Sequence, residues 1–134
     1  MQQFIKQLRE TNALILDTET TGLDSNAEIL QIGIVTLYGD TVFNSLVKPA
    51  RAQRWAEAQR VHGIAPSAGQ DAPSIGKLAG ELNTIMHGRP VAIYNAKFDT
   101  RMLWQSIKVA KANSSYKWLN DQDWHCVMEA YAEY

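Results

Sequence analysis

Residues 13–24 read ALILDTETTGLD and constrain the fold more than any other stretch of the chain. Ala13, Leu14, Ile15 and Leu16 form an unbroken apolar run, the pattern of a strand buried on both faces. Asp17 and Glu19 follow, two positions apart. If the strand continues through them, both side chains leave the same face, with Cα atoms roughly 6.5 Å apart at a rise of about 3.3 Å per residue. Two carboxylates so placed repel each other and are costly to desolvate, and a divalent cation between them removes both penalties. The plainer alternative is a solvated strand end carrying ordinary surface acids. Thr20, Thr21 and Gly22 then supply a hydroxyl-bearing turn at which backbone can approach a ligand closely.

At 134 residues the chain is long enough for one domain with a real core. Its net charge of −1 gives no overall basic field, so a general nucleic-acid coat protein is disfavoured. A metal-dependent nuclease remains compatible, because such an enzyme needs an acidic centre. Cys126 is the only cysteine, which excludes an internal disulfide, and no Cys/His zinc spacing occurs. The N-terminal MQQFIKQLRE has no apolar signal-like region, and no stretch reaches membrane length. These features lead us to expect a cytoplasmic protein that makes no membrane contact.

Taken in order, residues 1–10 place Phe4, Ile5 and Leu8 at helical spacing, as a short amphipathic helix docking on a sheet would. Residues 28–38 read as a second strand, Gly39 and Asp40 as a tight turn, and residues 41–47 as a third strand pairing back. The first half is therefore expected to be an antiparallel meander built outward from the acidic strand. Residues 51–60 read as a helix with Arg51, Arg54 and Arg60 along one solvated side, ended by Gly63. After a loop over 65–72, Ile75, Leu78, Ala79, Leu82, Ile85 and Met86 recur at helical spacing, and Gly88 and Pro90 stop the pattern. His87 falls in the last turn, a position where a cation suits the helix dipole.

The second chemical stretch, residues 91–103, reads VAIYNAKFDTRML. Its first four residues predict a short buried strand. Asn95 is placed to cap the following helix, whose Phe98, Met102 and Leu103 would turn to the core. Asn95 and Asp99, four apart, share a face of that helix. In α/β sheets ligands collect at the carboxyl ends of parallel strands. If this strand runs parallel to the first, Asp99 is expected to face Asp17 and Glu19, and three converging acids imply metal.

These residues carry a resemblance. The run from Asp17 to Leu23 resembles the first motif of the DEDD exonuclease superfamily, and Asn95-Ala96-Lys97-Phe98-Asp99 resembles the second. Val61-His62-Gly63-Ile64 is similar to the intervening His-Gly-Ile loop of the DEDDh branch, which includes the proofreading subunit of bacterial replicative polymerase and ribonuclease T. The resemblance implies an α/β, ribonuclease-H-like fold: a mixed five-stranded sheet flanked by helices. It implies two Mg²⁺ or Mn²⁺ ions and release of nucleoside 5′-monophosphates from the 3′ end of single-stranded DNA or RNA. Asp17, Glu19 and Asp99 would then be the catalytic, metal-holding acids. Thr20, Thr21, Gly22, Leu23, His62, Asn95 and Phe98 would line the substrate groove, with the backbone near Glu19–Thr21 holding the terminal 3′-hydroxyl. A polymerase or another replication or repair protein is the implied protein partner.

One family feature is missing. The third motif, His followed five residues later by Asp on the final helix, does not occur: His125 is followed by Ala130 at that distance. Residues 124–134 instead resemble the strand-to-helix segment that precedes it, so His125 and Cys126 read as structural strand residues. Trp104, Trp118 and Trp124 read as packing residues. The sequence is therefore expected to be a single exonuclease-like domain, C-terminally incomplete and impaired. The alternative is a non-catalytic nucleic-acid- or polymerase-binding module that keeps the fold.

Overall fold

The structure is a computed structural model and describes residues 1–132. The acidic stretch forms β1 (Leu14–Thr20), which runs straight through Asp17 and Glu19 as expected. β2 (Ile29–Thr36) pairs antiparallel with it, and β3 (Thr41–Leu46) pairs antiparallel with β2. On the other side of β1, β4 (Val91–Ile93) and then β5 (Trp124–Cys126) pair in parallel. The sheet order is β3-β2-β1-β4-β5, so the acidic strand is central.

Alternation along β1 decides what each face becomes. Leu14, Leu16, Thr18 and Thr20 are buried, whereas Ile15, Asp17 and Glu19 lie on the more open side. The buried face is covered by α3 (Ile75–Met86), which has the limits its periodicity predicts, and by α4 (Ala96–Val109). Leu78, Leu82 and Met86 of α3 and Met102 and Ile107 of α4 pack there against Leu14, Leu16, Ile32, Ile34, Val91 and Ile93. Each such fully buried side chain contributes about 1.5–3 kcal/mol relative to exposure. Tyr116 seals this core; its hydroxyl donates to the Ile75 carbonyl at 2.6 Å, and burial pushes its phenol pKa up.

The opposite face is covered at one end only. There α1 (Gln2–Glu10) and α5 (Val127–Ala132) bring Leu8, Phe4 and Val127 onto Ala13 and Ala92. Helices on both sides of a mixed five-stranded sheet give the ribonuclease-H-like architecture. Among the described residues no helix is long and apolar enough to cross a membrane.

Three local expectations need correction. The helix expected over 51–60 begins later, as α2 (Ala56–His62), and residues 51–55 are not helical. There the buried Glu28 carboxylate accepts backbone N–H groups from Ala50 (2.6 Å), Arg51 (3.0 Å) and Ala52 (2.6 Å). Those bonds pin the segment in a bend. Asn95 does occupy the cap position of α4 but makes no side-chain cap bond; its backbone carbonyl accepts from Phe98 and Asp99 instead. His87 ends α3 with a non-helical ψ of 125° rather than completing its last turn. Gly63 ends α2 as expected, in the left-handed region at φ 77°, where a glycine is unstrained.

Candidate active site

Two hollows meet at the far end of β1. One, of about 750 Å³, is lined by Glu19, Thr20, Thr21, Gly22 and Leu23 from β1 and the turn after it, by Val61 and His62 from α2, and by Phe98 from α4. Three separate stretches that the sequence marked thus assemble one groove. The second hollow, of about 270 Å³, lies on the open sheet face and is lined by Asp17 and Glu19 of β1, Gln31 and Gly33 of β2, and Asn44 of β3. Thr18 and Glu19 line both. An apolar-walled groove therefore opens beside an acidic floor.

His62 ties the groove together. The Ile64 backbone N–H donates to its Nδ1 at 3.0 Å, so Nδ1 is an acceptor and the ring proton sits on Nε2. That Nε2–H donates to the Thr20 carbonyl at 2.9 Å, which fastens α2 to the end of β1. The turn itself is braced: Thr20 Oγ1 donates to the Gly22 carbonyl at 2.7 Å, and Thr21 exchanges two bonds with the backbone of Glu28. Thr21's own N–H is committed to the Glu28 carbonyl at 2.8 Å. What the turn offers a ligand is its shape and the Thr20 hydroxyl oxygen, which donates its own proton to Gly22 and keeps its lone pairs.

Asp99 reaches β1 by a different route from the one expected. Its carboxylate accepts a hydrogen bond from Thr18 Oγ1 at 2.5 Å, on the buried face, whereas Asp17 and Glu19 leave the opposite face. The reason is the two-residue period of the strand: α4 covers the Leu16–Thr18 side, so Thr18 is what Asp99 meets. The acids still sense one another. Burial pushes the Asp99 carboxyl above the usual carboxylate range, the Thr18 hydroxyl opposes this, and the charges on Asp17 and Glu19 raise it further. Among the described residues no three His, Cys, Asp or Glu side chains already enclose a metal-sized point. The donor chemistry nevertheless suits a hard divalent cation, since all three groups are carboxylates and a positive charge would relieve the penalty on Asp99.

Asn95, expected in the groove, does not line it. His125 lies on β5 against the Phe4 ring, centroids 6.0 Å apart, with Nε2 3.1 Å from the Asp123 carboxylate but not aligned as a hydrogen bond. Several groove residues were not foreseen, among them Asp24, Glu57, Trp55 and Val61. Trp55 forms the floor, buried, with its indole N–H donating to the Ile64 carbonyl at 2.7 Å. Val61 stands exposed at the rim. The available signal was Trp55 as the one bulky residue in an otherwise polar and small run before His62. Arg101 was also missed: its guanidinium lies 5.8 Å over Phe98 and donates to the Leu23 carbonyl at 3.1 Å, holding the two apolar walls together.

Comparison with known proteins shows the family and the fold. The family profile described as Exonuclease (RNase_T) matches residues 14–132. An uncharacterized exonuclease of Escherichia phage 186 is 33% identical over 135 residues, covering 100% of this chain and 69% of its own. The DNA polymerase III epsilon subunit of Rickettsia conorii is 31% identical over 113 residues, covering 80% of this chain and 47% of its own. The chain thus spans about half the length of that relative. Among solved structures, Escherichia coli Exonuclease I in complex with an oligonucleotide superposes with a TM-score of 0.69 at 14% identity, over 90% of this chain and 29% of that one. That likeness concerns the fold. Matched by the family profile over nearly its whole length, the chain belongs to the RNase T exonuclease family, within the DEDD superfamily.

Proposed function

We propose that the chain is a DEDDh-type 3′→5′ exonuclease domain that removes nucleoside 5′-monophosphates from single-stranded DNA or RNA. The observation that carries this reading is the groove in which Glu19, Leu23, His62 and Phe98, drawn from three motifs, meet beside the acidic hollow of Asp17. Leu23 and Phe98 offer an apolar face to a terminal base, and base–aromatic stacking is worth about 1–3 kcal/mol. Thr20 and Thr21 shape the place of the terminal 3′-hydroxyl. Asp17, Glu19 and Asp99 would hold Mg²⁺ or Mn²⁺. When bound, such ions activate water and stabilise the leaving oxygen of an in-line displacement. The proposed setting is the cytoplasm, and the epsilon relatives make a polymerase a candidate partner.

No His in these 134 residues is followed five positions later by Asp. His62 is held as a donor to Thr20, and His125 sits against Phe4, so neither is presented as a general base. Loss of general-base catalysis costs about 10²–10⁴-fold. The 134 residues alone should therefore digest single strands slowly. A non-catalytic binding module is the second reading, favoured by Asp99 engaging Thr18 rather than closing an ion site. A 5′-labelled oligonucleotide, with and without a 3′ block, in Mn²⁺ or Mg²⁺, tests both. Slow shortening that the block abolishes supports the exonuclease, and binding with no shortening at any enzyme concentration supports the module.

A further inference from the structure

On the other side of the turn that carries Leu23 lies a third hollow, of about 350 Å³, lined by Thr21, Gly22, Asn26, Arg51 and Arg54. Thr21, Gly22 and Asp24 line this hollow and the groove alike, so the turn is a ridge between them. Its crest is low at Gly22, where a Cβ would meet no heavy atom within 4 Å. We propose that this cleft is a phosphodiester-binding site, in which Arg51 and Arg54 take the upstream backbone phosphates of a strand whose 3′ end occupies the groove.

Placement and charge both support the assignment. The Glu28 carboxylate holds the backbone at Ala50, Arg51 and Ala52, which fixes the segment bearing both arginines beside the turn. Two acids, Asp24 and Glu28, also border the cleft; the Glu28 carboxylate is buried away from it, whereas Asp24 is exposed and offsets part of the arginines' charge. Glu28 is buried under three N–H donors, and Asp24 accepts the Asn26 N–H at 2.9 Å. The arginines are exposed, and among the described residues neither guanidinium has an ion-pair partner, the pairs being Lys6–Glu10, Lys97–Glu129 and His125–Asp123. Their planar forks of N–H donors suit phosphate oxygens. The groove itself is lined by Glu19, Asp24 and Glu57 and by no Lys or Arg, and the Arg101 guanidinium behind its walls is committed to the Leu23 carbonyl and the Phe98 face. The two exposed guanidinium groups one ridge away would supply positive charge there.

This inference rests on the proposed function, and its test separates the two. Binding of a single-stranded oligonucleotide of about ten nucleotides, within the usual span of single-strand sites, is measured in EDTA against salt for the wild type, an R51Q/R54Q variant and an R51K/R54K variant. Each single-strand phosphate contact contributes about 0.7 to the log–log salt slope, so losing two should flatten it by about 1.4. Over a fourfold rise in salt the wild type should then lose about sevenfold more affinity than R51Q/R54Q. The lysine variant should keep the wild-type slope, and binding of a nucleoside 5′-monophosphate should be the same in all three. Wild-type binding with an unchanged slope in R51Q/R54Q overturns the cleft alone. Equal weakening of the mononucleotide also overturns it, because the arginines would then act on the groove. A wild type that binds no oligonucleotide at low salt overturns the functional reading and the cleft with it.

Discussion

His62 donates its Nε2–H to the carbonyl of Thr20, 42 residues away, at 2.9 Å. This bond joins the α2 side of the groove to the strand that carries the acids, and the Ile64 N–H on Nδ1 fixes the ring that makes it. His62→Ala removes both bonds. At about 0.5–1.5 kcal/mol net per hydrogen bond, urea denaturation should show a loss of roughly 1–3 kcal/mol. Affinity for a 3′-terminal nucleotide should fall as well. Unchanged stability would mean that the ring does not hold the groove.

The buried Glu28 carboxylate does for residues 50–52 what His62 does for α2. Glu28→Gln keeps one carbonyl oxygen but turns an amide donor toward a backbone N–H that needs an acceptor. A cost of about 1–3 kcal/mol is expected. Hydrogen exchange at Ala50, Arg51 and Ala52 should speed up before exchange in α3 or β2. Uniform acceleration across the sheet would argue against a local tether.

Asp99 and Thr18 give a prediction for pH. The raised carboxyl pKa means that the folded protein holds this proton more tightly than the unfolded chain, whose value lies near 3.8. Between 3.8 and the raised value the folded state binds more protons, so Asp99's contribution to stability falls as pH rises through that window. In EDTA, Asp99→Asn should flatten this decline and raise the melting temperature at neutral pH. Thr18→Val, which removes the donor from a buried carboxylate, should do the opposite, by about 1.5–3 kcal/mol for a hydrogen bond to a charged group. Equal pH profiles for the wild type and Asp99→Asn would show that burial does not control this group.

Much of this was legible in residues 13–24 and 91–103, and the parts that were not share a physical reason. Apolar runs and spacing located β1 and α3, because those elements bury their own periodic side chains, whereas the parallel pairing of β1 with β4 entered only as a condition. Spacing also placed Asp17 and Glu19 on one face. It could not say which face α4 would cover, and that choice brings Thr18 rather than the acids onto Asp99. The 51–60 segment was misread for a similar reason. Its own residues favour a helix, but its start is tethered in a bend against Glu28, more than twenty positions earlier, which the local sequence does not show. Trp55 gave no periodic signal, since its place is set by one bond across α2 to the Ile64 carbonyl, nine residues on.

The acidic hollow can be tested without touching an acid. Gly33 pairs with Asp17 across β1 and β2 and lines the hollow, and a Cβ there would come no closer than 4.0 Å to its nearest neighbour, the Asp17 carbonyl oxygen. A branched side chain therefore fits the strand and projects into the open space. Gly33→Val should leave the fold intact and raise stability by up to about 1 kcal/mol, because glycine is unfavourable within a strand. The same change should crowd any ion or phosphate seated between Asp17 and Glu19. Paramagnetic broadening by Mn²⁺, centred on Asp17 and Glu19 in the wild type, should weaken in Gly33→Val and be smallest in Asp17→Ala. Digestion by any active form should fall in the same order, while mononucleotide contacts at Phe98 persist. Full Mn²⁺ broadening in a well-folded Gly33→Val would place the ion elsewhere and remove the hollow from the proposed site.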